Sequence, residues 1–429
     1  MAETPPRDPA KPEAERLRSP GRRNLLLGLG AVGGGAVVGA LAGNAAAAEK
    51  PGPVADGAKA RQPVYGRHQS GVATPRPAAA MIASFDVLAT TKDELRDLFR
   101  GLTERVAFLM QGGTPPSLDP KFPPADSGVL GPTVTPHDLT VTVAVGASLF
   151  DGRFGLAGLK PRHLETMHAF PNDALVADEC HGDLLLQICS DSPEANVHAL
   201  RDVVKHFPSQ LMLRWKQDGF APPQALATPA GTGRNLLGFK DGTVNPDPLD
   251  PAAMERVVWV QDGQGEPAWA VGGSYQAVRL IRHFVEAWDR TALQEQENIF
   301  GRDKATGAPL GMKREHDEPD FAKDPKGERV PLTAHMRLAN PRTKGEPAHR
   351  LFRRPFNYSR GITKAAQMDM GLIFICFQAD LAAGFITVQN RLNGEPLEEY
   401  VKPFGGGYFF VLPGVPDKSR YLGQPLLEA

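Results

Sequence analysis

The sequence predicts an α+β protein made of two ferredoxin-like β-α-β-β-α-β lobes with antiparallel sheets. Three observations predict it. The first half carries four apolar, strand-like runs and two amphipathic helical segments in that order. The second half repeats the order in diverged form. The 429 residues are 41% hydrophobic and 23% charged, a globular composition that excludes a fibre, a coiled coil or disorder throughout.

Ala80–Leu88 (AMIASFDVL) predicts a buried strand. Thr91-x-x-Glu94 predicts a capping box, and Leu95, Leu98, Phe99, Leu102, Val106 and Leu109 recur at helical spacing behind it. Asp138–Phe150 alternates Leu139, Val141, Val143 and Val145, the pattern of a half-buried strand. Asp183–Cys189 predicts the third strand. Ser192-Pro193 opens the second helix, with an N-cap and Pro at the first helical position. Gln210–Lys216 closes the lobe. In the second half, Ser274–Phe284 and Gly371–Gln378 predict strands, Glu286–Phe300 and Ala379–Leu392 helices, and Gly407–Leu412 a last strand. Leu351–Tyr358 supplies the missing strand. The polar stretch 301–350 is far longer than an ordinary connection, which makes it a functional candidate.

The N-terminus predicts an address. Arg22-Arg23, a Gly/Ala/Val/Leu run and Ala46-Ala47-Ala48 form a twin-arginine export signal over residues 1–48, with an uncleaved membrane anchor as the alternative. Gly28-Leu29-Gly30-Ala31-Val32-Gly33 spells G-x-G-x-x-G but lies inside this signal without a preceding strand, so it is no dinucleotide site. Residues 49–77 are a Pro/Gly-rich lead-in, extended or flexible, followed by lobes at 78–230 and 231–429.

With 48 basic and 49 acidic residues, the chain has no global basic field, so nucleic acid is not an expected partner. There is no P-loop, H-E-x-x-H, EF-hand loop or G-x-S-x-G. The absence of C-x-x-C-H excludes covalent c-type haem. Cys180 and Cys189 bracket a strand and lie too far apart to pair, and Cys376 is in an apolar strand. His198 and His206 read as solvated or capping residues, and no His spacing makes a metal cluster.

Gly238-Phe239-Lys240-Asp241-Gly242 is composed of turn formers, and it also resembles the G-x-x-D-G motif of dye-decolourising (DyP-type) peroxidases. Ala334-His335-Met336-Arg337-Leu338 resembles the proximal-ligand segment of that family, and Leu351-Phe352-Arg353-Arg354 its distal-arginine strand. Tyr65-Gly66-Arg67-His68-Gln69, Asn298-Ile299-Phe300-Gly301-Arg302 and Phe404-Gly405-Gly406-Gly407-Tyr408-Phe409 are similar to the exported EfeB, or deferrochelatase, branch. The matches span nearly all of residues 63–415 in order.

The resemblance implies a dimeric α+β barrel type of fold and one non-covalent b-type haem in the C-terminal lobe. It implies that His335 binds the haem iron, with a second-shell acceptor for its other nitrogen. Asp380 is the candidate acceptor, or else the N-cap of the helix that follows it. Asp241 is implied as the distal acid/base, with burial raising its pKa and an acidic optimum following. Arg353 is implied as the stabiliser of developing charge, ahead of its neighbour Arg354. Gly242 and Phe374 are implied haem contacts. Pro355 stands where some branches carry a distal Asn. Trp215, Trp259, Trp269, Trp288, Tyr275, Tyr358 and Tyr408 are candidate surface relays to bulky donors, or core aromatics.

The leading function implied is an exported peroxidase that reduces hydrogen peroxide and oxidises an organic donor or ferrous iron. The alternative is a deferrochelatase that frees iron from haem with the porphyrin intact, partnered by an iron-binding protein and a membrane iron permease. A haem-free structural repeat, with His335 incidental, is the third reading. Periplasmic or cell-surface location and self-association are further implications of the resemblance.

Overall fold

The computed structural model describes residues 59–221, 232–344 and 349–429. The export signal, the start of the lead-in and the 230/231 lobe boundary lie outside the described residues.

Four strands form the first half-sheet: β1 (Ala79–Val87), β2 (Thr140–Gly146), β3 (Leu184–Ser190) and β4 (Leu211–Phe220). Their spatial order is β4-β1-β3-β2, all antiparallel. The second half-sheet is built from β5 (Ser274–His283), β6 (Phe352–Arg353), β7 (Phe356–Ile362), β8 (Met368–Gln378) and β9 (Val401–Val411). β6 and β7 run along the same partner, β8, and are separated at Arg354-Pro355. Proline lacks the N–H that a continuous ladder would need there. The order is therefore β9-β5-β8-β6/β7, the same topology as the first half.

Each half-sheet would leave two open edges, and the edges pair with each other. β2 joins β9 through Ala144–Val411, Val145–Phe410 and Gly146–Phe409, and β4 joins β7 through Phe220–Asn357. The result is one closed antiparallel barrel, and Pro53–Ala429 is one compact unit. Closure brings backbones close. A Cβ on Gly219 would lie 2.7 Å from Ile373 and 2.9 Å from Phe356, across the β4–β7 seam. A Cβ on Gly406, at φ +114°, would meet the Val278 carbonyl oxygen at 2.0 Å. Only glycine satisfies both positions.

Alternation gives β1 a core on each face. Ala80 and Ile82, with Val278, Leu280, Ile373 and Ile375, belong to one apolar cluster. Met81, Ala83 and Phe85 belong to another, with helix α1 (Lys92–Gln111) and helix α2 (Pro193–His206). β2 is consequently buried along its whole length, not on one face as its alternation predicts. The capping box at Thr91/Glu94 and the Ser192 cap form as expected. The expected helix 286–300 divides into Val285–Trp288 and Leu293–Phe300, where the Gln296 side chain takes up the Trp288 and Thr291 carbonyls. The expected helix 379–392 is a π turn, Ala382–Ile386, running into Thr387–Leu392.

From residue 59 the lead-in is built into the fold, not left as a flexible arm. Gln69 is 8% exposed and sits at the β2–β9 seam. Its Nε2 donates to the Val143 and Leu412 carbonyls, both at 2.8 Å, and its Oε1 accepts from the Val143 N–H at 2.9 Å. His68 stacks on Trp259, with ring centroids 3.9 Å apart. His198, expected at the surface, is 1% exposed and bonded to Asp126 at 2.6 Å, pinning the 112–138 connection. Among the described residues, no helix is long and apolar enough to cross a membrane.

Gln69→Ala leaves buried backbone groups at the seam without partners. The expected loss is about 1–3 kcal/mol of stability, read as a lower urea midpoint with an unchanged m value.

Candidate active site

The outer face of the first half-sheet is covered by α1 and α2. Over the second half-sheet the cover is irregular, and a cavity of ≈ 250 Å³ lies beneath it. Its walls include Arg279, Ile281 and His283 of β5, Leu372 and Phe374 of β8, and the segments around residues 241, 335, 353 and 395. Alternate residues of a strand face one side, which places these β5 and β8 side chains together.

Asp241, His335 and Arg353 all line this one cavity. Arg353 Nη1 donates to Asp241 Oδ1 at 2.8 Å. The pair is partly buried, with the side chains 23% and 13% exposed, so this charge-assisted bond is little screened by solvent. Arg354 points to the opposite strand face and is 3% exposed, its guanidinium held by the Thr74 and Pro75 carbonyls. Asn245 clamps the Arg353 backbone: Nδ2 donates to the Arg353 carbonyl at 2.7 Å, and Oδ1 accepts from its N–H at 3.0 Å. The loop that carries Asp241 is tied down by Arg234, which donates to the Gly238, Lys304 and Ala305 carbonyls. Gly242 is not part of the cavity wall. At φ +120° it shapes the turn after Asp241, and its carbonyl accepts from the Asn245 N–H. Phe374 does line the cavity.

His335 opens a short helix, His335–Ala339, inside the long 301–350 segment. Its Nδ1 lies 2.7 Å and 3.0 Å from the two oxygens of Glu395. Asp380 is not its acceptor. Asp380 Oδ1 instead accepts from the Ala383 N–H in the turn that follows it, and Oδ2 lies 3.5 Å from His163. Glu395 follows Gly394 in a turn 60 residues beyond His335, and no motif linked the two. Burial opposes the His335 imidazolium, but the Glu395 carboxylate, by charge and by hydrogen bond, more than offsets it, so the His335 pKa is raised. With Nδ1 taken by a carboxylate, Nε2 is the nitrogen free to ligate a metal, and the carboxylate strengthens it as a donor.

Among the described residues, no cluster of three His, Cys, Asp or Glu side chains could hold a bare metal ion. A single imidazole suits iron whose other ligands come from a macrocycle. Ile281, Leu372, Phe374, Phe385 and Val388 supply apolar wall, and Arg302, Arg342 and Arg350 supply cations on the same cavity. Burial, with Arg342 and Arg353 nearby, pushes the Arg302 guanidinium down to about 10, still protonated at neutral pH. Apolar wall, cations for carboxylates and one carboxylate-backed histidine together fit haem. All seven aromatic relay candidates are buried, none more than 6% exposed, so none is a surface residue. The three cysteines are buried and unpaired.

Fold and site together define a haem-using enzyme of the peroxidase class. The comparisons narrow this. Residues 69–221 match the family described as Dyp-type peroxidase, N-terminal, and residues 232–416 the one described as Dyp-type peroxidase, C-terminal. The chain belongs to the DyP-type peroxidase family, whose members bind haem and whose oxidant is hydrogen peroxide. It is 56% identical over 426 residues to a deferrochelatase of Yersinia pestis, covering 98% of each chain. It is 54% identical over 421 residues to a deferrochelatase of Escherichia coli O157:H7, covering 96% of this chain and 98% of that one. Among solved structures, ferric DtpA from Streptomyces lividans is similar at TM-score 0.77 and 34% identity, covering 88% of this chain and 100% of that one. A DyP-type peroxidase from Cellulomonas bogoriensis is similar at TM-score 0.77 and 33% identity, covering 87% and 100%. These relatives fit the deferrochelatase alternative better than the reading led by an organic donor.

Two outcomes follow from the cavity. Glu395→Gln removes the charge that favours the imidazolium, so the His335 pKa falls in an NMR titration of the haem-free protein. His283, 2% exposed with Nδ1 unpartnered among the described residues, has its pKa lowered to about 3 by burial. The unfolded chain therefore binds one more proton between about pH 6.5 and 3, and stability is lost as pH falls through that window, at about 1.4 kcal/mol per unit. His283→Leu flattens this acid limb of the stability curve, measured by chemical denaturation across pH.

Proposed function

We propose that this chain is a deferrochelatase: it takes haem as substrate in the cavity and releases the iron with the porphyrin intact. The 56% identity across 98% of a relative bearing that name carries the reading. The cavity chemistry supports it. Nε2 of His335 would hold the iron from one side, and Arg302, Arg342 and Arg350 would pair with haem carboxylates. Iron leaving must be balanced by a proton on each of two pyrrole nitrogens, and Asp241 is a carboxyl group within the cavity that could relay them.

The Asp241–Arg353 pair favours a second activity at the same site, the reduction of hydrogen peroxide with oxidation of an organic donor or ferrous iron. Bound haem supplies the redox chemistry. Asp241 moves a proton from the inner to the outer peroxide oxygen so that water can leave. Arg353 holds the bound peroxide and the charge that develops as the O–O bond breaks, and Asn245 fixes where Arg353 stands. We also propose that haem binds non-covalently as b-type, one per chain. Export by the twin-arginine route to the periplasm or cell surface, self-association, and partnership with an iron-binding protein and an iron permease belong to the same proposal.

The test incubates the haem-loaded protein with and without hydrogen peroxide, reading porphyrin fluorescence and chelatable iron. Porphyrin and iron released in equal amounts support the deferrochelatase reading. Many peroxide turnovers with neither released leave the peroxidase reading alone. Asp241→Asn is expected to lower kcat/KM for peroxide by about 10²–10⁴ and Arg353→Leu by about 10²–10³, each with haem still bound by its Soret absorbance.

A further inference from the structure

The charges round the haem cavity are not evenly spread. β8 crosses its wall, with β6 on one side and β5 on the other. Arg353 of β6 and Arg279 of β5 both line the cavity, on strands two spacings or about 10 Å apart. On the β6 side the cations are free. Arg302 has Arg342 and Arg353 nearby, and Arg350 precedes Arg353 on the same segment. None of Arg302, Arg342 and Arg350 forms an ion pair with a carboxylate among the described residues.

On the β5 side each basic group of the wall is neutralised. The Arg279 and Asp173 side chains are ion-paired and each 1% exposed, with Arg279 Nη2 donating to Asp173 Oδ1. The guanidinium also lies over the Phe170 ring, 5.3 Å from its centroid. Asp173 comes from the first half of the chain, and hydrogen bonds to β9 fix its segment. Asn172 Nδ2 donates to the Val401 carbonyl at 3.0 Å, and the Ala174 N–H to the Pro403 carbonyl at 2.9 Å. Asp173 Oδ2 accepts from the Phe170 N–H at 2.9 Å. His283 is the other basic group of β5 on this wall, and burial keeps its imidazole neutral, its pKa lowered to about 3. Lys402 donates to Asn172 and is not part of the wall.

We infer that Asp173 is a specificity-determining residue: by neutralising Arg279 it leaves the cavity cationic on one side only, so that the cavity takes an iron porphyrin with its carboxylates on a single edge and rejects one with carboxylates on opposite edges. The inference rests on the reading of the cavity as a haem site. A free guanidinium buried in the β5 wall would attract a carboxylate strongly, because little water screens it. Paired with Asp173 it offers no net charge, and the Asp173 carboxylate repels a second anion. Haem b carries both carboxylates on one edge and its two vinyl groups on the rest of the rim. The free cations take the carboxylates, and the apolar edge lies toward β5. Iron coproporphyrin III is the same ring with carboxylate chains in place of the vinyl groups. It would press carboxylates against a wall that holds no cation to receive them.

The test loads the full-length protein, produced without haem, with haem b or with iron coproporphyrin III, and reads each Kd from the Soret band. The wild type is expected to bind haem b more tightly by about tenfold or more. Asp173→Asn frees the Arg279 charge and should shrink that preference to about twofold or less. Asp173→Asn combined with Arg279→Met removes both charges and should keep the wild-type preference. An unpaired Arg279 could prevent folding of the single variant, so Val401→Lys is the second route. Val401 is half-buried on the same side of the cavity, and a lysine there should weaken the preference as well. A wild type that binds both rings alike overturns the inference and leaves the haem reading standing. So does a preference unchanged in a folded Asp173→Asn, or one lost in the double variant too, which would make the effect one of shape. If Asp173→Asn does not fold, an unchanged preference in Val401→Lys overturns it. A wild type that binds neither ring overturns the haem reading and the inference with it.

Discussion

Everything else in this structure depends on the closure of two half-sheets, of four and five strands, into one barrel. Each half has the same strand order, and each alone would expose two edges of unpaired backbone. Pairing edge to edge removes all four. The seams are short, three residue pairs at β2–β9 and one at β4–β7, and side chains reinforce them. Gln69 bonds across the first, while Gly219 lets the second approach closely. Closure also gives β1 and β2 a core on each face, which is why β2 is buried on both faces.

The cavity arises where the two halves stop being equivalent. Over the first half-sheet, α1 and α2 pack an apolar face against the strands. Over the second, the polar segment from 301 to 344 and the turns around 241 and 395 provide the cover. Such segments cannot fill the space with apolar side chains, so a cavity remains, edged by charge. Its charges are arranged in pairs: Arg353 with Asp241, His335 beside Glu395, and Arg279 with Asp173. An unpaired buried charge would be costly, whereas paired ones can be held inside with fixed geometry. The unpaired excess is cationic, which suits a ligand carrying carboxylates.

Hydrogen bonds from neighbouring side chains fix the segments that carry Asp241 and Arg353. Asn245 holds the Arg353 backbone at both its N–H and carbonyl, and Arg234 gathers three carbonyls beneath the Asp241 loop. Arg353 and Arg354 show how strictly the strand separates roles. Adjacent in sequence and alike in chemistry, they face opposite sides, one into the cavity and the other into the N-terminal arm.

The sequence by itself determined the local elements, the α+β class with its two repeats, and the motifs bearing Asp241, His335 and Arg353. Periodicity, capping boxes and turn residues act over a few positions, and they are legible for that reason. Helix α1 with its Thr91 cap, and strands β1 and β5, fall within a residue or so of where the pattern puts them. The start of β9 was not legible, because Gly405–Gly407 carry no strand preference and are held by β5 on one side. Glu395 was missed in favour of Asp380 because a hydrogen bond between residues 60 apart leaves no local trace. Gln69 looked like part of a loose lead-in, since nothing near it announces a seam between strands 74 and 343 residues away. Only the tertiary structure decided that the two repeats close on each other and which carboxylate stands behind His335. Those depend on distances across the barrel, and a chain's own spacing encodes distance only along itself.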